Sequence, residues 1–413
     1  MMRKRGDICI GLLLLLFVLT TVISYFPLNV VVSQLIIYGL IAVVYVFAPK
    51  GKITNQWYVV ITVICFALLL RIVIDLELYD MAQELYGSNL SLYFFVMNGI
   101  ILPVLIIPRI RFNAIPKSAV YIASVVVFFC LFFSLKEISS EQAVLSNDGR
   151  YSANESLGVI QYSQLSFTCS LIGLSLLYQD AKPRVYDVIY AIALILVGLI
   201  SIVFAGTRSC LVSLAVILLF LFLANRPKKI FKSLIIASVF IVLLYIALLK
   251  TGLNDTFESL RLFRMFTEGA RDVSSGRFDL YLSALSDIIQ NPIFGKSAFF
   301  SFSDGRDDMT FIHNSVLEIA RSIGLLGGIV FLFFNVYLLK KAFIILKNHR
   351  QFALFAFLYI QYFVFSLFSE SIFRIALYWF SASMMLCIIK IFNDGTNSIP
   401  TSLGNYSNIR SQR

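Results

Sequence analysis

Charge is scarce in this sequence. Of its 413 residues, 14% are Asp, Glu, Lys or Arg, while 59% are hydrophobic. A soluble domain carries about 25% charged residues, so one soluble globular fold is excluded. Histidine is rarer still, with two copies, His313 and His349. The six cysteines (Cys9, Cys65, Cys130, Cys169, Cys210 and Cys387) include no CxxC pair, and each lies in or beside an apolar segment. That excludes a zinc-ribbon pattern and a disulfide framework and leaves small core residues. The acidic turn "SDGRDD" (Asp304, Asp307, Asp308) has no His or Cys nearby and lacks EF-hand spacing, so it reads as a solvated turn and no metal is expected. No small-residue cleavage site follows the apolar stretch of "MMRKRGDICIGLLLLLFVLTTVISYF". The start is therefore read as a retained first span.

What is abundant is apolar sequence in runs long enough to cross a bilayer. Only helices and closed barrels satisfy their backbone groups in lipid, and unbroken apolar runs mean helices. The sequence predicts an all-α polytopic membrane protein with about twelve spans of about 20 residues each. They lie near 8–26, 29–48, 56–75, 91–108, 117–135, 157–178, 186–205, 209–225, 230–250, 315–339, 351–368 and 373–392. The expected organisation is nine spans over 1–250, a long extracytoplasmic loop over 251–312, three further spans over 313–392, and a tail over 393–413.

The net charge of +11 is a matter of topology and not of nucleic-acid binding, because the cations sit in short loops. Arg3, Lys4 and Arg5, Lys50 and Lys52, Arg109, Arg111 and Lys117, Lys182 and Arg184, Arg226, Lys228 and Lys229, and Lys340 to Arg350 mark every second loop. The positive-inside rule assigns these to the cytoplasm, with both termini. His313 then faces outward at the membrane surface, and His349 lies in a basic cytoplasmic loop.

Within 251–312, "NDTFESLRLFRMFTEG" reads as an amphipathic helix. Asp255 and Glu258 resemble a capping box, Gly269 ends it, and Phe257, Leu260, Phe263 and Phe266 line one side. Such a helix suits a membrane surface. A second helix starts at "SSGRFDLYLSALSDII", where Phe278, Leu282, Leu285 and Ile289 recur at helical spacing, and "NPIFG" stops it. Arg277 in its first turn joins a guanidinium to the free N–H groups of a helix start, which suits a phosphate or pyrophosphate. The plainer reading is a solvated surface arginine.

Arg208, in the short hairpin "FAGTRSCLVSL", breaks the charge rule for outer loops. It is either functional or a headgroup anchor. Glu318 and Arg321 are three residues apart inside an apolar helix, and this spacing favours a pair with each other. Glu370 with Arg374, and Arg71 with Asp75, read as further pairs. His313 has structural readings as a cap or an interfacial ring, and a chemical one as a general base, which histidine suits because its ordinary pKa is about 6.5.

Three segments in order, "GTRSCLVSL", "SGRFDLYLSALSDIIQNPIFGKSAF" and "HNSVLEIARSIGLLGG", resemble the O-antigen polymerase and O-antigen ligase superfamily. The resemblance implies a metal-independent, inverting membrane glycosyltransferase that needs no cofactor and uses a glycan on undecaprenyl pyrophosphate. It implies that Arg208 and Arg277 bind the pyrophosphate and that His313 meets the acceptor hydroxyl. Asn314, Glu318 and Arg321 are supporting candidates, with helix capping the alternative role for Asn314. The family's usual "GxG" is "GKS" here, so Gly295 and Lys296 receive no role. Expected partners are the lipid-linked oligosaccharide, membrane lipids and a chain-length regulator protein, in the bacterial inner membrane. The polymerase branch is favoured, because "NPIFGKSAFF" is followed closely by "IHNSVLE". The ligase is the alternative. A secondary transporter or flippase also fits about twelve spans, but the long loop follows the ninth span and no halves of matching hydropathy are visible.

Overall fold

The computed structural model describes residues 2–22, 30–51, 55–78, 96–112, 115–139, 144–145, 151–152, 158–179, 183–224, 277–298, 312–373 and 375–395. The ninth expected span, the expected helix at "NDTFESLRLFRMFTEG", the turn with Asp304, Asp307 and Asp308, and Arg374 lie outside the described residues.

Apolar runs become helices. In chain order these are α1 (Met2–Val22), α2 (Val30–Phe47), α3 (Gln56–Leu78), α4 (Leu102–Ile106), α5 (Lys117–Ser139), α6 (Val159–Gln179), α7 (Val185–Ala205) and α8 (Arg208–Ala224), followed by α9 (Arg277–Gln290), α10 (Ser315–Ile323), α11 (Leu325–Asn348), α12 (Ala353–Phe368) and α13 (Ala376–Gly395). Among the described residues, five stretches are long and apolar enough to cross a membrane: Gln56–Glu77, Lys117–Lys136, Val185–Ala205, Leu325–Asn348 and Arg350–Phe368. The architecture is that of an all-α polytopic membrane protein. One antiparallel ladder of two residues a side, Val144–Leu145 with Tyr151–Ser152, interrupts it.

Two expected spans differ in detail. The described part of the fourth is broken into a π turn (Met97–Ile101), α4 and a 3-10 turn (Ile107–Arg109). Pro103 and Pro108 fall in this stretch, and each removes a backbone donor from the helical ladder. The tenth divides at Gly324, whose φ of 91° no helix contains. The span proper therefore starts at Leu325, and α10 is a separate nine-residue helix before it.

α12 is apolar nearly all round and buried nearly all round, so it is the bundle's central post. Its polar residues are matched. Gln361 Nε2 donates to the Gln164 carbonyl at 2.9 Å, and Tyr359 and Tyr378 both donate to Asn335 Oδ1, at 3.0 and 2.7 Å. Small residues bring α6 and α7 together: a Cβ on Gly198 would lie 2.5 Å from the Ser166 carbonyl oxygen. That packing fixes α7 and the hairpin carrying Arg208. All six cysteines are buried, and none is in a disulfide.

The loops expected to share a side do gather. The Gly51 amide donates to Arg109 O at 2.9 Å, Arg111 N to Pro49 O at 2.8 Å, and His349 stacks on Phe392 at 3.9 Å. This is the basic end. The end carrying His313 is the other.

Candidate active site

α10 begins with a strong cap. Asn314, in extended conformation, accepts from the amides of Val316 and Leu317 at 3.1 and 3.2 Å, which satisfies donors that the first helical turn leaves open. The capping role is thus the one its side-chain oxygen fills. The residue before it, His313, has φ 56°. Among the described residues it is the one non-glycine in the left-handed region, a conformation that costs about 1–2 kcal/mol for a residue with a Cβ. Such strain persists only where the surroundings over-determine it, and it concentrates at functional sites. His313 is half-buried, with Nδ1 wholly enclosed.

Glu318, one turn into α10, is at the centre of the surroundings that hold this turn. Its buried Oε2 accepts from Ser371 Oγ at 3.0 Å and from the Ile372 amide at 2.7 Å. The amides of Ile312 and His313 face the same carboxylate. Burial pushes the carboxyl up to about 7, against the pull of these donors. The sequence spacing favoured a Glu318–Arg321 pair; the structure corrects this. Arg321 Nε instead donates to Asp287 Oδ2 at 2.7 Å, and Nη1 donates to Ser297 O at 3.0 Å. The two side chains point to different neighbours, and each buried charge takes the counter-group offered there.

Asp287 is the residue that sequence reasoning missed. It also accepts from Lys296 Nζ at 2.8 Å. The expected Arg71–Asp75 pair forms at 2.8 Å. Asp75 further accepts from Ser297 Oγ at 3.0 Å and the Ala298 amide at 2.6 Å, and Arg71 donates to Lys296 O. These charges clamp the turn 292–298 between α3, α9 and α10. The backbone closes the clasp, with Lys296 N to Arg321 O at 2.7 Å and Leu325 N to Pro292 O at 2.8 Å. Gly295 (φ 73°) and Gly324 (φ 91°) permit it: a Cβ on Gly324 would lie 2.0 Å from Ile293 O. "NPIFG" and "GLLGG" are therefore two halves of one joint. The available signal was a lone acid in the apolar run "LSALSDII".

Arg277 is the first residue of α9 and is half-buried. One turn on, Tyr281 feels Arg277 and Glu318 in opposite senses. Burial raises its hydroxyl pKa, the Arg277 cation lowers it, and the Glu318 carboxylate raises it. Tyr281 and Leu317 flank a small cluster of Leu280, Ala284 and Ile312, which seats α9 against the His313 turn.

Arg208 reaches the same end by another route. α7 stops at Gly206, Thr207 follows, and Arg208 opens α8, half-buried. The adjacent Ser209 accepts from Ser369 Oγ at 2.6 Å. Ser369 belongs to the turn whose Ser371 and Ile372 bind Glu318. Glu370 in this turn accepts from Gln164 Nε2 at 2.8 Å; its expected partner Arg374 lies outside the described residues. Both arginines thus open helices, where a cation opposes the helix dipole and gains the helix nothing. Each is a cation at a helix start, a combination that suits an anion. The other histidine, His349, sits at the basic end, and burial lowers its pKa from the usual value.

Residues 192–332 match a family model described as O-antigen ligase. Comparison with curated proteins and with solved structures returns no match. The matched stretch runs from within α7 to within α11, and it contains Arg208, Arg277, His313, Asn314, Glu318 and Arg321. Over these residues the chain is similar to the O-antigen ligase family, and the match does not separate polymerase from ligase.

Proposed function

We propose that this protein is a surface-polysaccharide polymerase that joins repeat units carried on a polyprenyl pyrophosphate, at the outer face of the bacterial inner membrane, with both termini in the cytoplasm. The observation that carries the reading is the linkage through Glu318 of the strained His313 turn to the turn that holds the Arg208 hairpin, with Arg277 one helical turn from Tyr281 beside it. Arg208 and Arg277 hold the pyrophosphate of the donor. The acceptor sugar hydroxyl attacks the anomeric carbon from the face opposite the phosphate. The new C–O bond forms as the bond to the phosphate oxygen breaks, which inverts the configuration. The hydroxyl proton passes to a ring nitrogen of His313, and the negative charge gathers on the leaving pyrophosphate. Guanidinium groups in a site of low dielectric meet that charge where it develops. A sugar hydroxyl is a weak nucleophile, which gives the histidine its task.

The description of the matched family model favours a second reading, ligation of the finished glycan to a lipid A core. Both readings use the same chemistry and differ in acceptor. Deleting the gene and running the surface polysaccharide on a gel separates them. Lipopolysaccharide carrying a single repeat unit means a polymerase. Loss of attached glycan while lipid-linked polymer is retained means a ligase. An unchanged ladder overturns both.

A further inference from the structure

The stripe on α9 read from the sequence does not face the protein. Phe278, Leu282, Leu285 and Ile289 are between 43% and 76% exposed. The buried side is a different arc, Leu280, Ala284, Asp287 and Ile288, which meets α10 and the clasp. Asp279, Ser286 and Gln290 are exposed beside the apolar stripe. With about 3.6 residues per turn, these sets occupy three separate sectors of one helix: protein-facing, apolar and exposed, polar and exposed. A helix standing in water needs only the first and third.

The apolar sector does not end with the helix. It runs on through Ile293 and Phe294, 74% and 80% exposed, in the turn after α9. That turn is bonded to the first residue of a membrane-crossing helix, since the Leu325 amide donates to Pro292 O at 2.8 Å. Leu326, Ile329 and Phe333 continue the exposed apolar surface down α11. Leu325 opens the span, so the turn sits where the hydrocarbon begins.

We infer that α9 lies along the bilayer interface at the His313 end, with Phe278, Leu282, Leu285 and Ile289 in contact with lipid as one surface with α11. Lipid is the occupant because the stripe is continuous with the lipid-facing side of a span, and because the polar sector beside it then meets water, as in other interfacial helices. The arrangement sets Arg277, half-buried at the start of α9 on its protein-facing arc, at headgroup depth beside Tyr281. The inference rests on the membrane-spanning architecture and not on glycosyl transfer, so it stands or falls separately from the proposed function.

Spin labels test it in the full chain, reconstituted in vesicles of phosphatidylethanolamine and phosphatidylglycerol. The native cysteines are buried, so Leu282→Cys, Leu285→Cys, Ser286→Cys and Leu326→Cys can each be labelled singly, with unsubstituted protein as the blank. The label at Leu326 is the lipid reference. Labels at Leu282 and Leu285 are expected to collide with oxygen far more than with a water-soluble nickel chelate, as at Leu326, while Ser286 shows the reverse preference. Nickel access at Leu282 equal to that at Ser286 would place the stripe in water and overturn the inference. So would a Leu282 label that neither reagent reaches, which would mean that protein covers the stripe, either another part of this chain or a partner. Because the readout is not turnover, an inactive preparation still decides it.

Discussion

Arg321 and Arg350 carry the same side chain at opposite ends of the α10–α11 segment, and the fold treats them differently. Arg321 is buried, bonded to Asp287 and to a carbonyl of the clasp. Arg350 is exposed and lies over the ring of Tyr178 at 5.3 Å. The contrast extends to their surroundings. At the basic end, Lys50 lies over Tyr45, Lys341 over Tyr337 and His349 on Phe392. At the His313 end, buried carboxylates take donors from distant parts of the chain. The lysines and Arg350 resting on rings are worth about 0.5–1 kcal/mol each, and moving one disturbs little. A buried carboxylate that loses its cation costs about 3–5 kcal/mol. The His313 end is therefore held in fixed geometry by buried ion pairs, while the cations resting on rings at the basic end are held loosely.

The largest effect that would sharpen this contrast is expected at the half-buried arginines. Arg208→Ala or Arg277→Ala should lower turnover on a polyprenyl-pyrophosphate donor by about a hundred- to a thousandfold, at normal protein level. Lysine should restore part of it, since it supplies charge without the planar fork. Full activity in Arg208→Ala would return that residue to a headgroup anchor. Next comes His313→Ala, expected to lose about a hundredfold or more in rate per mole of folded enzyme, with His313→Gln no better. Wild-type turnover by the glutamine variant would leave His313 a structural residue.

Stability should distinguish the ends as well. Asp287→Ala should cost about 3–5 kcal/mol, because Arg321 stays buried without its carboxylate, and Arg350→Ala no more than about 1 kcal/mol. Equal melting temperatures for the two variants would break the comparison. A smaller, pH-dependent effect is expected at Glu318. Its carboxyl is ordinary at 4.5 when unfolded and raised to about 7 when folded, chiefly by burial. Between these values the unfolded chain releases a proton that the folded one keeps. Stability should therefore fall as pH rises from 4.5 to about 7 and change little from this source above it. Glu318→Gln should flatten that slope in a melting series across the window. A slope unchanged by glutamine would assign it to other groups. The smallest effect belongs to His349→Ala, which should retain wild-type turnover; a large loss there would mean that the basic end takes part in the chemistry.

Much of this could be read along the chain, because local rules suffice for it. Apolar runs gave the helices, the Arg71–Asp75 pair followed from residues one turn apart, and Asn314 before an apolar helix carried its own capping signal. Spacing failed where the partner came from elsewhere. Glu318 and Arg321 are neighbours on one helix, yet one serves the turn at 371–372 and the other serves Asp287. On α9 the periodic stripe was real, but a period gives a face and not its environment. The helix has two apolar arcs, and the one holding Asp287 went inside because Arg321 and Lys296 were there to meet it. The sequence by itself determined a helical membrane protein and which residues are chemically able to form a site, since hydropathy and side-chain chemistry are properties of the chain alone. Only the tertiary structure decided the strained turn at His313, the glycine clasp and the pairing of the buried charges. In a medium that leaves no polar group to water, a charge takes whichever partner the packing brings within reach.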